Sequence, residues 1–433
     1  MSLAAVRSAA TIAFALVALA PAPAQEVSGV VEESGAARVA IAVPTPRASA
    51  EAREAAAEIA DAVRYDLEFS DWFEIVDPAT YALAPAPDRG RLDHEAWRGL
   101  GAAAVVDVEV AVKDGKLDVI ARVHDTAGGK LVLNYRYGGA PSRVRRIAHQ
   151  LSDDIVLHYT GRPGIAQTWI AFSSRHGENK EIYLMDYDGR RVRRLTDWGT
   201  INLAPAWSPV ANSLAFLSFR GDRPGVWVLD GDGRVSRTPA LSGEMNVSPD
   251  WSPDGRRLAY SGTADGDFEI YSLNLASGRN DRLTRHPAID ISPAYSPNGR
   301  EIAFTSDRSG KPQVYLMDAE GLNVRRLTTE GDYNDSAAWS PDGTRLAYVS
   351  RIDGRFDVFV RELESGATRR LTADSGNNEN PRWSPDGRHI VFASDRAGTW
   401  DIYTMRADGS RVTRLTRGTN SYTPDWSRVL DER

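Results

Sequence analysis

The sequence predicts a multidomain chain, with a small N-terminal α+β domain followed by an all-β six-bladed β-propeller built from WD40-like repeats. Three observations carry that prediction. The stretch Trp251-Ser252-Pro253-Asp254-Gly255-Arg256-Arg257-Leu258-Ala259-Tyr260 recurs in altered form, with its leading aromatic at Trp207, Tyr295, Trp339, Trp383 and Trp426. From Trp207 the spacings are 44, 44, 44, 44 and 43 residues, and a fixed period in this range marks a repeat architecture. Each period also holds four short strands, of the type Trp-Ser-Pro, Ile-Ala-Phe, Ile-Tyr-Leu-Met and Arg-Leu-Thr, which is the signature of a propeller blade. Finally, a run such as Leu258-Ala259-Tyr260 is apolar at consecutive rather than alternate positions, as suits a strand buried on both faces.

Residues 1–24 read as a secretory signal. Arg7 supplies the charge, residues 9–20 are apolar but too few to span a bilayer, and Ala22-Pro23-Ala24 is a small-residue cleavage site. Nothing later in the chain is long and apolar enough to span. The 433 residues carry a formal charge of -7, with no block of like charges. Cleavage removes Arg7 and no acid, leaving -8. A strongly basic face is missing, which argues against nucleic acid as a partner. The absence of cysteine excludes disulfides, thiol catalysis and Cys-ligated metals.

Residues 25–162 are expected to form the α+β domain. A strand over 38–43 stops at Pro44. A helix over 50–69 carries Ile59, Val63 and Leu67 at helical spacing, and a strand over 72–76 ends at Asp77-Pro78. A stretch of low structure holding Pro85 and Pro87 leads to a short helix over 92–100, stopped by Gly101. Strands over 105–112 and 117–123 form a hairpin around Asp114-Gly115, and Gly128-Gly129 turns the chain into a strand over 131–137. The last helix, 142–159, places Val144, Ile147, Leu151, Ile155 and His158 near one face, with Gly161 as its C-cap. Residues 163–169 form the linker.

The propeller is expected over 170–433. Ile/Leu-Ala-Phe/Tyr triplets begin at Ile170, Leu214, Leu258, Ile302 and Leu346, with a variant at Ile390. A second apolar run starts at Ile182, Val226, Ile270, Val314, Val358 and Ile402. Leu-Thr pairs begin at 195, 283, 327, 371 and 415, and Pro239-Ala240 breaks the beat in the second repeat. Pro-Asp-Gly between the first and second strands is a hairpin turn, Pro presetting φ and Gly accepting a positive φ. The first unit lacks a leading Trp-Ser-Pro while the chain ends on a spare one. Trp426 is therefore expected to supply the innermost strand of the blade that Ile170 begins, closing the ring and removing its free edges.

No catalytic constellation emerges. Gly-x-Ser-x-Gly and His-Glu-x-x-His are absent, and no hydrolase domain of the kind propeller peptidases carry follows the sixth repeat. The seven histidines, at 94, 124, 149, 158, 176, 286 and 389, are scattered, and none pairs with another at metal spacing. His149 and His158 read as packing or capping residues of the last helix. Asp230-Gly231-Asp232-Gly233 hints at calcium but lacks a twelve-residue loop and its final Glu, so it reads as a turn. Ser306-Asp307-Arg308-Ser309-Gly310 and its match Ser394-Asp395-Arg396-Ala397-Gly398 follow the second strand and read either as partner-binding loops or, equally well, as turns. Tryptophans recurring once per blade read as inter-blade packing. No metal and no cofactor is expected.

The segments outside the generic repeat are more specific. They are Asp66-Leu67-Glu68-Phe69-Ser70-Asp71-Trp72-Phe73, Trp97-Arg98-Gly99-Leu100-Gly101-Ala102, and the run from His149-Gln150-Leu151-Ser152-Asp153-Asp154 through Tyr159-Thr160-Gly161-Arg162-Pro163-Gly164-Ile165 into Ile170-Ala171-Phe172. Joined to six such blades behind a secretory signal, they make the whole chain resemble the TolB family of the Gram-negative Tol-Pal system. The resemblance implies a monomeric, non-catalytic periplasmic adaptor that binds Pal, the peptidoglycan-associated lipoprotein, and TolA, and that maintains outer-membrane integrity and invagination during cell division.

If Trp-Ser-Pro is the innermost strand, the variable loops 197–203, 243–247, 285–291, 330–335, 374–380 and 417–422 ring one mouth of the channel, where propellers usually bind. By match to the family repeat, Met245, Val247, Ser248, Ile289, Ile291 and Ser292 are the expected Pal-binding residues. Gln25, Glu26, Val27 and Ser28, in the mature N-terminal segment 25–33, are those expected for TolA. The competing reading is a propeller-type hydrolase or lyase acting on envelope glycan or peptide through acids in the channel.

Overall fold

The computed structural model describes residues 38–429 apart from 222, 231–233, 239–240 and 242. The signal at 1–24, the segment holding Gln25, Glu26, Val27 and Ser28, and most of the Asp230-Gly231-Asp232-Gly233 turn lie outside the described residues.

The N-terminal domain is a mixed sheet with two long helices packed on it. Its strands lie in the spatial order Phe73–Ile75, Val39–Ala42, Ala104–Lys113, Lys116–Asp125, Lys130–Gly139, and the short Arg47–Ala48 pairs with the third of these. The first two strands run parallel, so the chain between them needs a crossover. Helix α1 (Arg53–Phe69) supplies it. Short helix α2 spans His94–Gly99 and long helix α3 spans Val144–Thr160. Ile59, Val63 and Leu67 of α1 share one core with Ile147, Leu151 and Ile155 of α3 and with Val106 and Val119 of the sheet.

Two expectations need correction here. His158 is exposed and Tyr159 is buried in its place, because the four-residue helical step from Ile155 lands on Tyr159. The stretch after Asp77 is not structureless. A 3-10 helix, Pro78–Leu83, starts where Asp77 accepts a hydrogen bond from the Ala79 N–H at 3.0 Å and Pro78 presets the first turn.

The propeller consists of six four-stranded antiparallel sheets. Their innermost strands are Asn202–Trp207, Asn246–Trp251, Asp290–Tyr295, Asn334–Trp339, Asn378–Trp383 and Ser421–Trp426. The last of these belongs to blade 1. It pairs with Trp169–His176, setting Trp426 against Ile170, so the end of the chain closes the ring on its beginning. The indole of Trp426 donates to Thr168 Oγ1 at 2.8 Å, and the Trp169 N–H donates to Ser427 Oγ at 2.8 Å. The repeat tryptophans do pack between blades: the indoles of Trp251, Trp339 and Trp383 donate to the carbonyls of Ala206, Ala294 and Ala338 on the preceding blade at 3.0, 3.1 and 3.1 Å.

The sequence landmarks acquire physical roles. In the Ser-Pro-Asp-Gly turn, Ser252 Oγ donates to Asp254 Oδ1 at 2.6 Å and accepts from the Arg257 N–H at 2.9 Å, while Gly255 sits at φ 68. The Thr of each Leu-Thr pair is a clasp. Thr372 Oγ1 donates to buried Asp357 Oδ1 at 2.6 Å and accepts from the Val358 N–H at 3.0 Å. Thr196 with Glu181, Thr284 with Glu269, Thr328 with Gln313 and Thr416 with Asp401 repeat it. Blade 2 departs from this pattern, with Gly225 in the acid's position. Thr238 holds the strand there by donating to the Val226 carbonyl at 2.9 Å. The pairing there falls one residue short of the other blades, Trp227 opposing Arg237 where Tyr183 opposes Arg194.

The N-terminal domain sits on the face that carries the Ser-Pro turns, over blades 6 and 1. His149 Nδ1 meets Asp66 Oδ2 at 2.8 Å, and the wholly buried Tyr187 of blade 1 donates to Asp66 Oδ1 at 2.6 Å. Burial opposes charging His149, but Asp66 more than offsets it and raises its pKa. Arg145 pairs with Asp188, Asp71 with Arg406, and Glu68 with Arg411 at 3.0 Å. Phe69 stacks on His389 with centroids 4.0 Å apart, and Arg388 lies 4.0 Å over the Trp72 ring.

Candidate protein-binding mouth

In a four-stranded antiparallel blade, successive connections alternate between the two ends of the sheet. The Ser-Pro turns and the turns between strands three and four therefore share the face held by the N-terminal domain. The loops that lead into the innermost strands share the opposite face. Linker residue Pro163 and Arg428 and Val429 line the channel's end on the covered face, in a cavity of about 480 Å³. The interdomain contacts named above all belong to that face.

The open mouth is shaped by a backbone irregularity repeated in every blade. Ala204, Ser248, Ser292, Ser336, Asn380 and Thr423 occupy one position of the repeat and all have positive φ, between 45 and 56. Each innermost strand breaks register there, between Leu203 and Ala206 in blade 2 and at the equivalent residues elsewhere. A left-handed residue without a glycine costs on the order of 1–3 kcal/mol, and bulges of this kind re-aim side chains. Pro follows in five of the six copies, at 205, 249, 293, 381 and 424, and disfavours the right-handed helical region for the residue before it.

The six residues expected to bind Pal lie together on the adjoining innermost strands of blades 3 and 4 and the loops just before them. Ile289 is exposed at 45%, and Met245, Val247, Ser248, Ile291 and Ser292 are half-buried. Ser248 and Ser292 are two members of the left-handed ring, at φ 53 and 54. The loop before Ile291 is pinned from the same blade, where the Ile289 N–H donates to Asp307 Oδ1 at 2.9 Å. Asp395 holds the equivalent loop of blade 6 through the Asn377 N–H at 2.7 Å. The two matching Ser-Asp-Arg loops are turns, then, and they also brace the mouth. Met245 is pinned likewise, its N–H donating to Thr263 Oγ1 at 3.1 Å. What the mouth offers is contact chemistry: aliphatic side chains held on stiff backbone.

Sequence reasoning does not single out the charged residues inside the channel. The position before each repeat aromatic reads Ala206, Asp250, Ala294, Ala338, Arg382 and Asp425 around the ring. Burial pushes Asp250 up to about 6 against a hydrogen bond from the Tyr295 N–H at 2.8 Å. It pushes Asp425 up to about 7, against Arg382, whose Nε lies 3.6 Å away, and the Trp207 N–H at 2.6 Å. The one available signal is a column comparison across repeats, in which a position that tolerates Ala three times turns charged three times. Among the described residues no group of three or more His, Asp or Glu side chains is arranged to hold a metal ion.

Two family models match the chain. A model described as the TolB beta propeller domain matches residues 157–351 and 334–431, and one described as the TolB amino-terminal domain matches 29–132. The Tol-Pal system protein TolB of Geobacter metallireducens is 39% identical over 181 residues, which is 41% of this chain and 42% of that protein. That of Polaromonas sp. is 37% identical over 201 residues, 46% of this chain and 45% of that protein. The chain thus spans less than half the length of these curated relatives. The crystal structure of TolB from Acinetobacter baumannii is 27% identical, with a TM-score of 0.79, covering 90% of this chain and 97% of that one. A chain of a nidogen/laminin complex, 10% identical with a TM-score of 0.51 over 61% of this chain, shares the fold alone.

Proposed function

This chain belongs to the TolB family, and from that premise we propose that it is a non-catalytic periplasmic component of the Tol-Pal system, taking Pal at the open mouth of its propeller. The observation that carries the reading is the division of the ring into two faces. One face carries the chain's own N-terminal domain over blades 6 and 1, and the other presents Met245, Val247, Ile289 and Ile291 on braced, bulged strands. The secretory signal supports the periplasm. Among the described residues no helix is long and apolar enough to cross a membrane.

Isothermal titration of the purified protein with the soluble domain of Pal tests the docking. Ile289→Ala combined with Val247→Ala is expected to weaken binding by about tenfold or more, because apolar anchors near an interface centre contribute 1–2 kcal/mol each or more. Wild-type affinity in this variant counts against the mouth. In the same reading Gln25, Glu26, Val27 and Ser28 engage TolA, and deleting residues 25–33 is expected to weaken that binding. Unchanged TolA affinity would refute the assignment.

The competing hydrolase or lyase reading draws on Asp250 and Asp425, half-buried acids with raised pKa values inside the channel. A pull-down from envelope extract separates the two readings. Recovery of Pal supports the adaptor, and turnover of glycan or peptide with no captured partner supports the enzyme.

A further inference from the structure

The open mouth is not chemically uniform around its ring. The residue just before each left-handed position is Leu203, Val247 and Ile291 in blades 2, 3 and 4, but Asp335, Glu379 and Tyr422 in blades 5, 6 and 1. These six occupy one register position: each pairs with the second strand of its blade immediately before the bulge. The residue two places earlier divides in the same way. It is Ile201, Met245 and Ile289 on one half, and Tyr333, Asn377 and Asn420 on the other. Ile201 and Ile289 are exposed at 39% and 45%, so the aliphatic half reaches solvent.

On the polar half most groups already have partners. Asp335 accepts from Thr305 Oγ1 at 2.7 Å and from the Ser336 N–H at 2.5 Å. Asp395 is held by Asn377, Asp332 pairs with Arg351 at 3.0 Å, and Lys180 lies 4.1 Å over the ring of Tyr422. Glu379 differs. Its half-buried carboxylate has no hydrogen-bond or ion-pair partner among the described residues, and burial together with Asp395 and Asp335 raises its pKa. A partly desolvated carboxylate beside like charges is costly until a cation arrives.

We propose that the mouth is two-sided and selects a partner loop that carries an aliphatic side chain next to a lysine or arginine, the aliphatic group resting on blades 2–4 and the cation seating on Glu379. This rests on the docking of Pal at that mouth and specifies the chemistry Pal must present there. Blade order then fixes the partner's orientation, because turning the loop around would set its cation on the aliphatic half and leave Glu379 unpaired.

The test is the affinity of the full-length protein for the soluble domain of Pal at low and high salt, for wild type, Glu379→Gln, Glu379→Asp and Ile289→Ala. The expected result is a loss of about tenfold or more for Glu379→Gln with a flattened salt dependence, the scale of a charge-assisted hydrogen bond. Glu379→Asp keeps the salt dependence, and Ile289→Ala weakens binding without changing it. The inference is overturned if Glu379→Gln binds like wild type while Ile289→Ala is weakened, an outcome that leaves the docking face intact. It is also overturned if the Gln and Asp variants lose affinity equally. Wild-type protein that fails to bind Pal at all overturns the earlier reading instead, and this one with it.

Discussion

Replacing Trp426 by alanine tests how the ring is sealed. The side chain is 6% exposed and packs with Ile170, Phe172 and Met185 in the core of blade 1. Removing a buried tryptophan leaves a cavity and costs about 3–5 kcal/mol. The lost indole bond to Thr168 Oγ1 adds about 1 kcal/mol. That addition stays small because the Thr168 hydroxyl still donates to the Ile165 carbonyl at 2.7 Å. The sum, about 4–6 kcal/mol, is a large share of the ~5–15 kcal/mol that holds most native proteins folded. Trp426→Phe keeps most of the buried area and is expected to cost about 1–2 kcal/mol. The assay is equilibrium urea denaturation followed by tryptophan fluorescence, with a thermal scan beside it in which the alanine variant melts roughly 10 °C or more below wild type. An alanine variant within about 1 kcal/mol of wild type would refute closure by the C-terminal strand as a stabilising device.

Three further outcomes are expected. Thr372→Val breaks the clasp in blade 5, leaving the buried Val358 N–H without its acceptor, and should cost about 1–3 kcal/mol in urea denaturation. Asp425 has a pKa raised to about 7 by burial, so its contribution to stability is present at low pH and is lost as pH rises through that value. Asp425→Asn should accordingly lose less stability than wild type between pH 5 and pH 8, and identical profiles would contradict the assignment. His149 has a raised pKa, so the link it makes to Asp66 is complete below the ordinary histidine value of 6.5 and weakens as pH rises through the folded value. Limited proteolysis at linker residues 163–169, measured against an unfolded reference substrate, should therefore speed up on the alkaline side for wild type, whereas His149→Gln loses that pH-dependent change.

Much of the fold was legible because a propeller repeats its physics. A blade is buried on both faces, so Leu258-Ala259-Tyr260 reads as consecutive apolar residues and the same run returns every 44 residues. The spare Trp426 foretold closure for the same reason. Features that depend on one residue meeting another at long range were not legible. The Leu-Thr pair reads as a strand end, and only the fold brings Thr372 to Asp357. In blade 2 a pairing one residue short of the other blades puts Thr238 at the strand end, out of register with the period and so hidden from it. Asp66, His149 and Tyr187 lie 121 residues apart at the extremes, and nothing local marks them as one buried cluster. At the mouth, the residues singled out were the apolar ones of two blades. The acids opposite them, Asp335 and Glu379, become visible when the six repeats are read as columns of one ring, which requires knowing where each strand bulges.

Hydrogen exchange of the full-length protein with and without the soluble domain of Pal is the most direct measurement of whether the open mouth is the docking face. Slowed exchange at residues 245–248 and 289–292, with the Ser-Pro turns unchanged, is the predicted result. Protection confined to the N-terminal domain or to the outer strands of the blades would contradict it.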